Sequence, residues 1–223
     1  MAFDRIPRLI IDSTGALTDL CVLGYESGTD KSPFNPRGHR HPYTAVYTML
    51  FASLRNKPIR FAEIGVAMGA SAEVWSKFFT HPETKLCLFD SDKELLEGTE
   101  KRVRDSRIRT GIMDVSVDGD VMRGLSTVAG EDGGEGPYDV IIDDSSHNHE
   151  HQIRIIKEAF PLLKSGGMLI IEDIFRAAQE DDYTRLIQEE LKGCAAAYFV
   201  MCEHANKFSP GWDNDKLLVL VRG

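Results

Sequence analysis

The chain has 223 residues, 42% of them hydrophobic, which is enough for one sizeable core and short for two. A formal net charge of −9 argues against a nucleic-acid groove, which needs clustered Lys and Arg; the short stretch Lys101-Arg102-Val103-Arg104 reads as a solvated helix face. No apolar run is long enough to span a membrane, the N-terminus lacks the features of a secretory signal, and Cys21, Cys87, Cys194 and Cys202 form no CxxC pair, so a cytoplasmic protein with reduced core thiols is expected.

In chain order, residues 1–57 read as an N-terminal extension and residues 58–223 as one α/β domain. Within the extension, Ser27–His41 is rich in Gly, Pro and polar residues and reads as a loop or lid. Pro42–Asn56 follows as an amphipathic helix, with Tyr43, Val46, Tyr47, Leu50, Phe51 and Leu54 on one face. From Pro58 onward short apolar runs alternate with amphipathic stretches, the pattern of a sheet covered by helices on both faces. The expected strands are Ile59–Ile64, Lys85–Asp90, Ile108–Asp114, Tyr138–Asp143, Met168–Glu172, Ala195–Cys202 and Lys216–Val221. Helices are expected over Ala70–Phe79, Asp92–Arg104, His149–Leu163 and Asp181–Leu191, and Gly130–Pro137 reads as a surface loop. Glu203–Asp215 has no helical period, so the last two strands should form an antiparallel pair. The fold class is therefore a doubly wound, mostly parallel seven-stranded sheet with an antiparallel C-terminal hairpin, Rossmann-like in organisation.

The first of these strands ends in Glu63-Ile64-Gly65-Val66-Ala67-Met68-Gly69-Ala70-Ser71, an acid and G-x-x-x-G just before a helix. Two glycines at that spacing let the backbone turn sharply against a ligand, while the new helix points N–H groups into the site. A dinucleotide fingerprint would carry a further glycine where Ala67 stands, so a nucleoside-like ligand without phosphates is favoured. Asp90 ends the next strand and can accept both hydroxyls of a ribose; Asp114 ends the one after and is a plausible partner for an adenine amino group. Either acid alone is more simply a helix cap. In this order, and with Glu63 to Gly69, they point to S-adenosylmethionine.

Two further strands finish in paired acids, Asp143-Asp144 and Glu172-Asp173, with His147 close behind the first pair. Neighbouring parallel strands would bring these tips together at the ligand-binding crevice. Several converging carboxylates repel one another unless something positive compensates, and oxygen ligands suit Mg²⁺ or Mn²⁺. The bland alternative is that these acids cap the following helices.

The ordered set Gly28-Thr29-Asp30-Lys31, His41-Pro42-Tyr43-Thr44 with Tyr47, Glu63-Ile64-Gly65-Val66, Ile142-Asp143-Asp144-Ser145-Ser146-His147 and Ile171-Glu172-Asp173 resembles the metal-dependent sugar O-methyltransferases of macrolide biosynthesis, of the mycinamicin and macrocin type. The resemblance implies that Asp144, Glu172 and Asp173 bind the metal, that His147 is the general base working beside Asp144, and that Glu63, Gly65, Gly69, Ser71, Asp90, Asp114 and Asp143 hold the cofactor. Thr29 and Lys31 would belong to a lid over it. The family usually has Gly where this chain has Ser145, and some members carry a large N-terminal auxiliary domain. The implied reaction is in-line transfer of the sulfonium methyl to a hydroxyl of a small molecule or glycan; a homo-oligomeric assembly stays open.

Three other readings compete. His147-Asn148-His149-Glu150-His151 fits H-x-x-E-H, a zinc-hydrolase pattern with His147, Glu150 and His151, although His149 and His151 read more simply as a polar first helical turn. A non-catalytic cofactor-binding module would use the acids only as caps. A catechol-type O-methyltransferase would share fold, metal and reaction. Trp212 and Phe208 could floor an acceptor pocket, while Trp75 reads as core.

Overall fold

Residues 4–131 and 137–223 are described in a computed structural model of the chain; residues 132–136, most of the loop expected at Gly130–Pro137, lie outside the described residues. The sheet has eight strands among the described residues, one more than the sequence suggests. The extra strand, β1 (Arg8–Asp12), lies in the segment read as an extension. Only Ile11 is even half-buried there, so no apolar alternation advertises the strand; backbone pairing at the sheet edge makes it.

The expected strands follow as β2 (Arg60–Ile64), β3 (Lys85–Asp90), β4 (Ile108–Ile112), β5 (Tyr138–Asp143), β6 (Leu163–Ile171), β7 (Cys194–Glu203) and β8 (Lys216–Arg222). Their spatial order is β1-β7-β8-β6-β5-β2-β3-β4. Only β8 runs antiparallel to its neighbours β6 and β7, as the irregular loop before it suggests.

Alternating side chains feed two cores. Ala62, Ile64, Cys87, Phe89, Ile141, Leu169 and Ile171 face one. Phe61, Leu86, Leu88, Val140, Ile142 and Ile170 face the other, as strands buried on both sides require. Helices α1 (Asp19–Ser27), α2 (Thr44–Phe51), α3 (Ala70–Phe78) and α4 (Lys93–Arg102) cover the second core. The first is covered by α5 (Asp120–Glu131), α6 (His149–Ala159), α7 (Glu180–Leu186) and α8 (Gln188–Lys192).

Helix boundaries follow local chemistry. Asp92 and Asn148 cap α4 and α6 through side-chain oxygens that accept from the first-turn N–H groups. The expected continuation of α6 to Leu163 instead tightens into a 3₁₀ turn at Phe160–Leu162, where Pro161 cannot extend the helix. The single helix expected over Asp181–Leu191 is two, broken at fully buried Ile187 (φ −115°, ψ 27°). Trp75 is core, 1% exposed among Tyr47, Phe51, Phe61 and Phe79.

Chain direction sets the site. From β2 the chain steps outward to β3 and β4, then returns to the other side of β2 as β5, so a crevice opens at the switch between β2 and β5. The ladder continues past the strand ends: Asp144 N–H donates to the Ile64 carbonyl at 2.8 Å and Glu172 N–H to the Asp143 carbonyl at 2.9 Å. Both acidic tips therefore stand on the same edge.

Candidate active site

Two adjoining chambers open at this edge and share Gly65, Ala67, Asp144 and Ser145. The first, about 300 Å³, is lined by Asp90, Leu95, Met113, Asp114, Ser116 and His151 as well. Apolar Leu95 and Met113 suit a flat base. The second, about 440 Å³, adds Gly28, Thr29 and His39 from the lid segment, Ser71 from α3, and His147.

The turn after β2 is built for close approach. Gly65 adopts φ +87°, and a Cβ there would stand 2.2 Å from the Asp144 carbonyl oxygen, so only glycine lets the tips of β2 and β5 touch. Asp90 Oδ2 accepts the N–H groups of Val66 and Ala67, each at 3.1 Å, and holds this turn against the tip of β3. Asp114 accepts from the Ser116 N–H (2.9 Å) and hydroxyl (2.6 Å), and these bonds keep its carboxyl ionised below the ordinary range.

Beyond the chambers lies a buried acidic cluster. Lys31 is its centre, 2% exposed: its ammonium group bonds to Asp144, donates to Glu172 Oε2 at 2.7 Å, and stands 3.4 Å from Glu63 Oε1. The other Glu172 oxygen accepts from the Tyr47 hydroxyl, and Tyr43 donates to Asp173 Oδ1 at 2.6 Å. His147 Nε2 lies 3.3 Å from Asp144 Oδ1 and 3.2 Å from Asp173 Oδ2. His147 and Asp173 both sit at φ +55°, a left-handed conformation that side chains resist, as does Ala67 at φ +42°. Three such residues at one crevice mark a backbone held by its surroundings for a purpose other than stability.

Electrostatics sort the acids. Burial works to raise Asp144, but Lys31 and His147 outweigh it and lower its pKa to about 2. Burial lifts Glu172 well above the carboxylate range; Lys31 pulls it back only in part, while Asp144 and Asp173 add to the rise. Burial would lower His147, yet its bond to Asp144 and the charges of Asp173, Asp144 and Asp143 win and raise it to about 9.

Of the residues expected on the cofactor, Thr29, Gly65, Ser71, Asp90 and Asp114 line the chambers. Lys31, Glu63, Gly69 and Asp143 do not. Glu63 is fully buried and takes the Ser71 hydroxyl at 2.7 Å; Gly69 is the residue preceding α3. Asp143 is 1% exposed and accepts from the Ser145 hydroxyl (2.6 Å) and N–H (3.1 Å); burial, only partly offset by these bonds, raises its pKa to about 6. Ser145, a departure from the family's Gly, thus fastens the turn after β5. Of the expected metal ligands, Asp144 and Asp173 converge with His147, their ligand atoms within 4.8 Å of one another, whereas Glu172 is engaged by Lys31 and Tyr47.

Sequence reasoning missed the roles of Tyr43 and Tyr47, whose helical spacing speaks only for packing, and of His41, which pairs with Asp215 at 2.9 Å. The signal was their type: two phenols, rather than phenylalanines, on a buried stripe. The zinc-hydrolase triad does not assemble. His147 groups with Asp144 and Asp173, without Glu150 or His151, while His151 Nδ1 pairs with the Ser146 hydroxyl at 2.7 Å.

Residues 62–174, from the middle of β2 to the turn after β6, match the family described as a methyltransferase domain. The chain belongs to that family. It is 29% identical over 199 residues to the 8-demethyl-8-alpha-L-rhamnosyl tetracenomycin-C 2'-O-methyltransferase of Streptomyces olivaceus, a match covering 81% of this chain and 46% of that protein. It is 33% identical over 165 residues to the L-olivosyl-oleandolide 3-O-methyltransferase of Streptomyces antibioticus, covering 70% and 37%. The chain thus spans less than half the length of either relative. Among solved structures, the MycE methyltransferase from the mycinamycin biosynthetic pathway, in complex with Mg, SAH and mycinamycin VI, superposes with a TM-score of 0.66 at 24% identity. That match covers 92% of this methyltransferase domain and 55% of the MycE chain, and it bears on the fold. The likeness to sugar O-methyltransferases drawn from the motifs is met by these relatives, named for the O-methylation of a rhamnosyl and an olivosyl compound. No helix among the described residues is long and apolar enough to cross a membrane.

Proposed function

We propose that this domain transfers the methyl group of S-adenosylmethionine to a hydroxyl oxygen of a glycoside, with Mg²⁺ or Mn²⁺ held at the tips of β5 and β6. The observation that carries the reading is the position of Asp144: it lines both chambers and meets His147 and Asp173 at their junction. The relatives' printed acceptors, a rhamnosyl and an olivosyl group, support a sugar hydroxyl. The net charge of −9 favours such a small acceptor over nucleic acid. Four buried cysteines without a disulfide fit a cytoplasmic setting.

The donor set suits a hard cation. Buried Glu63, Asp143, Glu172 and Asp173, with half-buried Asp144, outnumber the cationic partners Lys31, His41 and His147, and two carboxylate oxygens already converge on one ring nitrogen. Asp144 and Asp173 would hold the metal, and Glu172 would join them on release from Lys31. When bound, it supplies positive charge that lowers the pKa of the acceptor hydroxyl and of His147.

The domain's own residues do the rest. Asp90, Asp114 and the Gly65 turn seat the nucleoside, while Thr29 and His39, on the lid segment, shield the second chamber from water. His147 Nε2 takes the proton of the attacking hydroxyl as the C–O bond forms and the methyl–sulfur bond breaks. Alignment of the two reactants supplies much of the remaining acceleration.

His147→Ala should lower turnover by at least about 100-fold, with cofactor affinity by calorimetry unchanged; persistent activity would remove His147 as the base. A screen of glycosides and catechols with labelled cofactor, run with Mg²⁺ and with chelator, separates a sugar acceptor from a catechol.

A further inference from the structure

The loop between β7 and β8 puts an aromatic surface beside His147 that neither chamber uses. Trp212 is 46% exposed and Phe175, just after β6, is 39% exposed. Their rings stack at 5.6 Å and 23°, and Trp212 meets the His147 ring at 6.3 Å, nearly perpendicular.

Backbone bonds fix this pair in place. Ser209-Pro210-Gly211-Trp212 is a tight turn in which the Trp212 N–H donates to the Ser209 carbonyl at 2.9 Å, with proline second and Gly211 at φ +80° third, as a type II turn requires. Ile174 N–H donates to the Lys216 carbonyl (3.0 Å) and Arg176 N–H to the Asp213 carbonyl (2.7 Å), so Phe175 is clamped opposite the loop. Two bonds between Arg40 and Phe208, at 2.8 and 3.0 Å, stitch the loop to the lid segment. Phe208 itself, 47% exposed, has the Arg40 guanidinium over one face at 5.0 Å and belongs to that stitch.

Large aromatic side chains held rigidly, yet half in water, offer apolar area to a ligand at little ordering cost. Beside Trp212 a recess of about 460 Å³, lined also by Lys207, Ser209, Asp213 and Asp215, places charged and hydroxyl groups around the aromatic face. A pyranose matches that arrangement, with C–H bonds on its faces and hydroxyls on its rim. We propose that Trp212, braced by Phe175, is the platform on which the sugar ring of the acceptor lies, so that one ring hydroxyl reaches His147. The proposal rests on the glycoside reading above and adds the residues that select for it.

The test uses the cofactor-saturated protein and methyl α-L-rhamnopyranoside as probe. Saturation-transfer NMR should show magnetisation passing from aromatic protons to the sugar C–H protons. Trp212→Ala should weaken sugar binding at least tenfold, Trp212→Phe should retain most of it, and Phe175→Leu should fall between. Because Trp75 is buried, the sugar should also shift the emission of Trp212 alone. Cofactor affinity should stay within twofold in every variant. No transfer to the sugar in the wild type, sugar binding by Trp212→Ala within twofold of wild type, or a catechol probe that takes the platform in place of the sugar each overturns the proposal. Failure of the wild type to bind cofactor would instead strike at the methyltransferase reading itself.

Discussion

Replacing Lys31 by methionine keeps most of the side chain's length, one heavy atom short, and removes its charge. The native ammonium group is buried against Asp144, Glu172 and Glu63, so the variant leaves three acids without their shared cation. Breaking a buried ion pair by deleting one partner costs about 3–5 kcal/mol, because the remaining charge gains no water in exchange. In a domain of this size each kcal/mol is worth roughly 2–4 °C, so K31M should melt about 10 °C lower at pH 7. The deficit should also depend on pH. Burial already pushes Glu172 and Glu63 upward against the pull of Lys31, and without that pull both rise further. The native state then keeps protons that the unfolded chain releases, so the variant's stability increases as pH falls and the gap narrows by pH 5. Urea denaturation of both proteins at the two pH values measures this. A loss under about 1 kcal/mol at pH 7, or a gap of equal size at pH 5, would refute the idea that Lys31 compensates the acidic cluster.

Other consequences follow from the same structure. His147, raised to about 9, should titrate there by NMR in metal-free protein; its contribution, roughly 3 kcal/mol, is complete below about pH 6.5 and lost as pH rises through 9. Gly65→Ala should cost about 2 kcal/mol or more and weaken cofactor binding in calorimetry, because its Cβ would meet the Asp144 carbonyl oxygen at 2.2 Å. Arg107, against the effect of burial and with help from Ser76, lowers Asp105 to about 2. That contribution is present above the ordinary carboxylate range and lost as pH falls through 2, so Asp105→Asn should cost about 2 kcal/mol at neutral pH and converge with wild type in acid.

Legibility differed by the kind of signal. Strands β2 to β8 were readable because burial on one or both faces writes itself into apolar runs, and their acidic ends stood out because carboxylates at strand tips are costly without a partner. β1, α1 and α5 were missed. β1 presents little buried surface; the apolar run Leu20–Leu23 of α1 keeps to no single face, with Val22 and Tyr25 exposed; and the apolar positions Val121, Leu125 and Val128 of α5 are interrupted by Gly124, a poor helix former. Lys31 shows the opposite failure: its segment was recognised as part of a lid, yet nothing local reveals that a lysine among polar residues reaches three acids on three different strands or their tips.

The sequence by itself determined the alternation that builds the sheet, the glycine turn after β2, and the identity of the acids gathered at the crevice, since these depend on short-range periodicity and residue type. Only the tertiary structure decided which acids pair with Lys31, which converge on His147, and that the surrounding carboxylates outweigh burial and push the metal-free imidazole's pKa upward. Those outcomes depend on distances and burial among groups far apart in the chain, and the competing terms differ in sign.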